Sequence, residues 1–269
     1  SAVPKPRRFY TPEVWADQLN TYIAEVVGEP CVLVVQGGLL PCALEMWRVA
    51  GASSIVAVSL LSPPPLGFFT SEGPSSVDEG EDRAPRRRAT RRGQRISWTL
   101  ACTPVGNVFF RRLRGGRPKG KRIKAFTETS LFAGEADAQW VEQCVAGAAD
   151  SRGRFATFSY LCGSIPSGGA WRDERGALYD SLDVPLQVLR GDSGGVESAA
   201  GRVEPLLQRA LRPSRTCSAI IRAAGQCVAY EQPVPTARMV ARFLEVHFGC
   251  GPAGEFDCLS ADASTVVLL

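Results

Sequence analysis

Few residues in this chain of 269 could carry chemistry, and the scarcest is histidine. The one imidazole, His247, lies in Ala241-Arg242-Phe243-Leu244-Glu245-Val246-His247-Phe248, whose apolar residues recur at helical spacing. A lone histidine on such a helix reads as a packed or surface side chain rather than a base or a ligand. Triads that need histidine, and metal centres that need several, are therefore nearly excluded. Nine cysteines occur without any Cys-x-x-Cys spacing, and Cys31, Cys217 and Cys227 sit in apolar runs. They read as buried reduced thiols rather than a disulfide framework. Three nucleophiles remain as candidates: Ser62, Cys42 and Ser193. Each has a plainer structural reading, since Ser62 opens a proline run, Cys42 falls within a helix and Ser193 belongs to a turn. No cofactor-binding or metal-binding pattern accompanies them, so neither a cofactor nor a metal is expected.

Charge is the second source of chemistry. The net charge of +4 conceals a segregated distribution. Residues 83–124 hold 15 basic residues and no acid, which leaves 16 basic against 27 acidic residues elsewhere. Five acids between Glu72 and Asp82 precede this segment, and residues 71–97 contain few large apolar side chains. They read as a disordered or peripheral insertion. The candidate docking residues are Arg86, Arg87, Arg88, Arg91, Arg92, Arg111, Arg112, Arg114, Lys119, Lys121, Arg122 and Lys124. Such a segment suits an acidic protein surface or anionic lipid headgroups. Nucleic acid is the alternative, because basic runs also attract phosphates, but no recognition motif or stacking platform accompanies it. No apolar stretch approaches the roughly 18 residues of a membrane span.

The elements that would position these groups follow a strand–helix order. Residues 1–8, with Pro4 and Pro6, read as an extended arm. Thr11-Pro12-Glu13 opens a helix with an N-cap, a first-turn proline and an acid suited to the helix dipole. Trp15, Leu19, Tyr22, Ile23 and Val26 then recur at helical spacing. Cys31-Val32-Leu33-Val34-Val35 predicts a strand buried on both faces. Gly37-Gly38 turns the chain into a helix over residues 39–47. A second strand is predicted over 55–61, a third over 183–192 and a fourth over 217–222. Helices are predicted over 135–146, 155–161, 203–211 and 235–248, and a tail over 249–269 ends in an apolar stretch. Strands separated by helices predict an α/β domain with a mainly parallel sheet of about four strands.

This order resembles the C-terminal part of an α/β-hydrolase, in particular the plastid and cyanobacterial branch of that superfamily. The resemblance rests on five stretches in the family's order. Trp15-Ala16-Asp17-Gln18-Leu19 with Val27-Gly28-Glu29-Pro30 is similar to the helix before the elbow strand. Leu60-Leu61-Ser62-Pro63 is similar to the strand after it. Residues 98–180, with Arg111 to Phe132, Trp140 and 155–161, resemble a helical cap. Val184 to Asp192 resembles the strand before the acid turn. Ala223-Ala224-Gly225-Gln226 stands where the family writes Gly-x-Gly-His. In that family a strained turn, G-x-S-x-G, lifts the nucleophile to the sheet edge. On this resemblance the nucleophile position is Gly37, the acid position Gly194 and the histidine position Gln226.

The resemblance implies one α/β-hydrolase-like domain over 1–269 that lacks the family's triad. A triad works because each member activates the next, so three altered positions imply a non-catalytic protein. A scaffold or accessory subunit of a larger assembly follows, with a protein partner and with the stromal side of a chloroplast thylakoid as its place. The alternatives are a divergent hydrolase with a non-standard nucleophile and a nucleic-acid-associated protein. The family's N-terminal strands have no counterpart before residue 31. An unpaired edge is therefore expected beside Val32 and Val34, to be covered by a partner, a missing segment or the N-terminal arm.

Overall fold

A computed structural model describes residues 11–63, 103–114, 120–148, 155, 182–193, 216–249 and 265–268. The chain opens with helix α1 (Pro12–Tyr22), where Thr11 Oγ1 accepts from the Val14 N–H at 3.3 Å and Pro12 fills the first turn. A π-helical turn over Ile23–Val27 extends it. Of the residues expected on its inward face, Ile23 is buried, while Tyr22 and Val26 are exposed; Ala16 is buried as well. The wider π turn shifts Val26 away from the α-helical spacing on which its expected burial rested.

Strand β1 (Cys31–Gln36) is buried over its first five residues. A 3-10 turn (Gly37–Leu39) then leads into helix α2 (Leu40–Ala50). Strand β2 (Ile55–Leu61) follows. Helices α3 (Pro104–Arg114), α4 (Lys121–Ser130) and α5 (Ala138–Gly147) occupy the region expected to form a helical cap. Strand β3 (Leu186–Gly191), strand β4 (Thr216–Ile221), the short helix α6 (Val228–Glu231) and helix α7 (Pro233–Phe248) complete the expected order. The helix predicted over 203–211, most of that over 155–161 and the insertion over 71–97 lie outside the described residues.

The sheet is parallel throughout, in the order β4-β3-β2-β1-β5. Alternation along β1 sends its side chains to two separate cores. Cys31, Leu33 and Val35 pack with Ala16, Ile23, Leu44 and Met46 of the first two helices. On the other face Val32 joins Ala57 and Phe243 of α7, while Val34 joins Leu61, Leu189, Ile221 and Val228. Helices thus cover both faces, which is what a continuous apolar run such as residues 31–35 requires.

The fifth strand overturns the expected edge. Strand β5 (Thr265–Leu268) comes from the tail and pairs with β1 in parallel, setting Val32 beside Val266 and Val34 beside Leu268. The backbone groups of β1 are therefore flanked on both sides within one chain, and neither a partner nor the arm is needed there. Inter-strand pairing depends on backbone groups and register, which explains why a four-residue apolar stretch remote in sequence can supply it. Deleting residues 265–269 should expose this edge. Each backbone group left buried without a partner costs about 1–3 kcal/mol. The shortened chain should melt at lower temperature and aggregate faster, as read by differential scanning calorimetry and light scattering; unchanged melting would mean that β5 contributes nothing.

Candidate functional site

The C-terminal ends of the parallel strands lie at one edge of the sheet, where open α/β sheets place their ligands. There the loops after β1, β2, β3 and β4 meet. Gln36 Nε2 donates to the Gln226 carbonyl at 2.7 Å, which ties the turn after β1 to the loop after β4. The Ser62 hydroxyl lies 3.5 Å from the Gly225 carbonyl, and the Ser62 N–H donates to Leu189 at 2.7 Å. The Asp192 N–H donates to Ile221 and the Ser193 N–H to Ala224, at 3.1 and 3.0 Å. The sequence-predicted positions Gly37 and Gln226 are thus brought together, while Gly194 lies outside the described residues.

Gly37 has φ +41°, a left-handed conformation that strains any residue with a side chain. A sharp strand-to-helix turn is what the resemblance leads one to expect at this position. A Cβ there would meet only the Ser62 carbonyl, at an ordinary 3.5 Å, so space is not what excludes one. Ser62, at the neighbouring strand end, also has positive φ, +47°, and is buried. Strain at a non-glycine residue in such a place is a feature of functional sites.

Close backbone packing holds the loops together. A Cβ on Gly191 would fall 2.0 Å from the Ala224 carbonyl oxygen, so only glycine allows β3 to end against the loop after β4. A Cβ on Gly225 would fall 2.6 Å from the Leu131 carbonyl oxygen, where the segment after α4 presses onto that loop. The same Leu131 carbonyl accepts from the N–H groups of Gln226 and Cys227, at 2.6 and 3.3 Å. Glu231 completes the clasp: Oε1 accepts from the Ala133 N–H at 2.6 Å and Oε2 from the Gly225 N–H at 2.8 Å. Beside it Phe132, Trp140 and Tyr230 stack with ring centroids 4.6–5.5 Å apart. The Tyr230 hydroxyl donates to Asp137 at 2.8 Å, and Asp137 also caps α5 through the Trp140 N–H.

Ser193 Oγ donates to Asp192 at 2.7 Å, and this bond, with the backbone N–H groups of Ala223 and Ala224, holds the Asp192 carboxyl below its usual range. Burial, with Glu231 and Cys144 nearby, pushes the Cys227 thiol up to about 11. Burial, with Glu13 and Glu45, pushes Cys42 up to about 12. Both remain neutral thiols near pH 7 and are weak nucleophiles. His247 packs edge-on against Phe243 along α7, at 4.9 Å between centroids. Cys217 departs from the expected burial and is exposed on β4. Among the described residues no group of histidine, cysteine and acidic side chains could hold a metal ion. Sequence reasoning missed Gln36 and Glu231, whose partners Gln226 and Ala133 are remote in sequence.

Of the docking residues, Arg112, Lys121 and Arg122 are exposed. Lys124 is paired with Glu128, which offsets its charge. Arg111 and Arg114 fall within α3, while Arg86, Arg87, Arg88, Arg91, Arg92 and Lys119 lie outside the described residues. No helix among the described residues is long and apolar enough to cross a membrane.

The sequence matches no protein-family model and no curated protein. Solved structures do match. An aryl esterase from Burkholderia cenocepacia is 15% identical over 93% of this chain and 76% of that chain, with a TM-score of 0.59. A bromoperoxidase from Bacillus anthracis is 12% identical over 91% and 78%, also at 0.59. MenH from S. aureus is 10% identical over 88% and 76%, at 0.57. The chain has the α/β-hydrolase fold, and likeness at this identity carries the fold alone.

The clasp yields two predictions. Gly191→Ala would force backbone apart and should destabilise the protein by more than about 3 kcal/mol, whereas Glu231→Ala, which leaves two N–H groups without their acceptor, should cost about 1–3 kcal/mol each. Urea unfolding followed by tryptophan fluorescence and circular dichroism measures both. Asp137 and Asp192 are each held below the usual carboxylate range, Asp137 first by the Trp140 N–H and then by the Tyr230 hydroxyl. Their stabilisation is complete above the unfolded value of about 4 and is lost as pH falls through the lowered folded values. Melting temperature should thus fall below pH 4, and Asp137→Asn should flatten that fall.

Proposed function

We propose that this protein is a non-catalytic member of the hydrolase fold, acting as a scaffold or accessory subunit of a larger assembly. The observation that supports this most is the elbow: Gly37 keeps the strained backbone of a nucleophile and offers no atom to attack with. The position expected for the base is Gln226, whose backbone is engaged on both sides by Gln36 and Leu131. The only imidazole of the chain is on α7, packed on Phe243. Segregated charge in residues 83–124 favours a salt-sensitive contact with an acidic surface. A plastid photosynthetic membrane complex, on the stromal side of the thylakoid, is the assembly we propose from the sequence resemblance.

A second reading, a hydrolase with a non-standard nucleophile, is favoured by one observation, the strained and buried Ser62. Against it, the Ser62 hydroxyl faces the Gly225 carbonyl, which cannot accept a proton as a catalytic base. The two readings separate in one experiment. The purified chain should hydrolyse p-nitrophenyl acetate no faster than background, and a fluorophosphonate probe should label no serine. Gly37→Ser should fold and remain inactive, because a serine without a base is a weak nucleophile. Stoichiometric labelling of Ser62, abolished by Ser62→Ala, would overturn the non-catalytic reading.

A further inference from the structure

Helices α3 and α4 pack on one another and carry an unusual surface. On α3, Gly106 and Phe110 face inward, while Val105, Val108 and Arg112 are exposed at helical spacing. Val105 is 64% and Val108 53% exposed. On α4, Thr127 is buried, and Lys121, Arg122, Ala125 and Phe126 are exposed, Phe126 by 59%. Arg122 Nη1 donates to the Arg112 carbonyl at 2.9 Å, so the exposed row of α4 meets that of α3 at the C-terminal end of α3.

Three of the exposed apolar side chains lie about one helical turn from a cation, Val108 from Arg112, Ala125 from Lys121 and Phe126 from Arg122, and Val105 lies two turns from Arg112. A soluble domain gains nothing from exposing this much of Val105, Val108 and Phe126 to water. Two kinds of partner would cover such a surface. A protein partner that covered the apolar groups would have to desolvate these neighbouring cations along with them. A lipid interface imposes no such cost, because long basic side chains keep their heads among the headgroups while shorter apolar ones sink below them. Nucleic acid would engage the cations and leave Val105, Val108 and Phe126 unused.

We propose that the exposed face of α3 and α4 docks on an anionic lipid bilayer, with Val105, Val108 and Phe126 entering the interface and Arg112, Lys121 and Arg122 at the headgroups. The proposal stands apart from the non-catalytic reading, since an active hydrolase could carry this face equally well. Failure of either leaves the other in place.

The test is co-sedimentation of the full chain with mixed phosphatidylglycerol–phosphatidylcholine vesicles at about 0.15 M salt, where exposed charges are screened beyond roughly 8 Å. Wild-type protein should sediment with these vesicles and not with pure phosphatidylcholine. Arg112→Gln and Lys121→Gln should each weaken binding about fivefold, the effect of one surface charge. The triple variant Val105→Ser, Val108→Ser, Phe126→Ser should lose binding by at least about tenfold. All these positions are exposed, so the variants should keep the wild-type circular dichroism melt. Val246→Ser, an exposed apolar position on α7, should bind like wild type. The proposal is overturned if wild type ignores anionic vesicles. It is equally overturned if the triple variant binds undiminished, or if Val246→Ser weakens binding as much as the triple variant does. Undiminished binding by the triple variant, with retention on duplex DNA, would assign the face to phosphates alone.

Discussion

The Leu131 carbonyl is the point on which the arrangement of the strand ends depends. It accepts from Gln226 and Cys227, and so pins the segment after α4 directly onto the loop after β4. That contact is close enough to require glycine at position 225, and Glu231 braces it from the other side by accepting from Ala133 and Gly225. A carboxylate with two N–H donors is a strong, charge-assisted clasp. The loop after β4, thus fixed, holds the turn after β1 through Gln36 and meets β3 at Gly191. Among the described residues, backbone packs directly against backbone at these strand ends.

This packing has a consequence for chemistry. Groups at the strand ends spend their polar capacity on one another: Gln36 on Gln226, Ser193 on Asp192, Glu231 on two N–H groups. General acid–base catalysis needs a group free to exchange a proton with a reacting atom. Positive φ at Gly37 and Ser62 marks where the chain leaves the ends of β1 and β2. Packing of β1 between two cores stabilises these strand ends.

The parallel sheet reaches closure of its β1 edge by borrowing from the far end of the chain. Strand β5 sits beside β1 although some 230 residues separate them. Pairing at such separation costs loop-closure entropy that grows only slowly with length, so remoteness is a weak objection to it. Helices α3 and α4 follow a different logic. Phe110 and Thr127 face inward, while Val105, Val108, Arg112, Lys121, Arg122 and Phe126 are exposed. The two helices thus form a basic, partly apolar outer face.

Much of this was legible in the residues themselves. The run from Cys31 to Val35 specified a strand buried on both faces, since five consecutive apolar residues leave no side for water. Thr11 and Pro12 specified the start of α1, and glycine after β1 specified the turn, because these are local backbone preferences that need no knowledge of neighbours. The fold class followed from the order of strands and helices. Tertiary structure decided the rest. Apolar composition could not say that residues 265–268 would pair with β1, because a strand's partner is set by where the chain returns in space. Local pattern could not show that Val26 faces water, since a π turn altered the helical phase. Nor could it single out Glu231, whose role exists only because folding brings the Ala133 and Gly225 N–H groups to the same carboxylate.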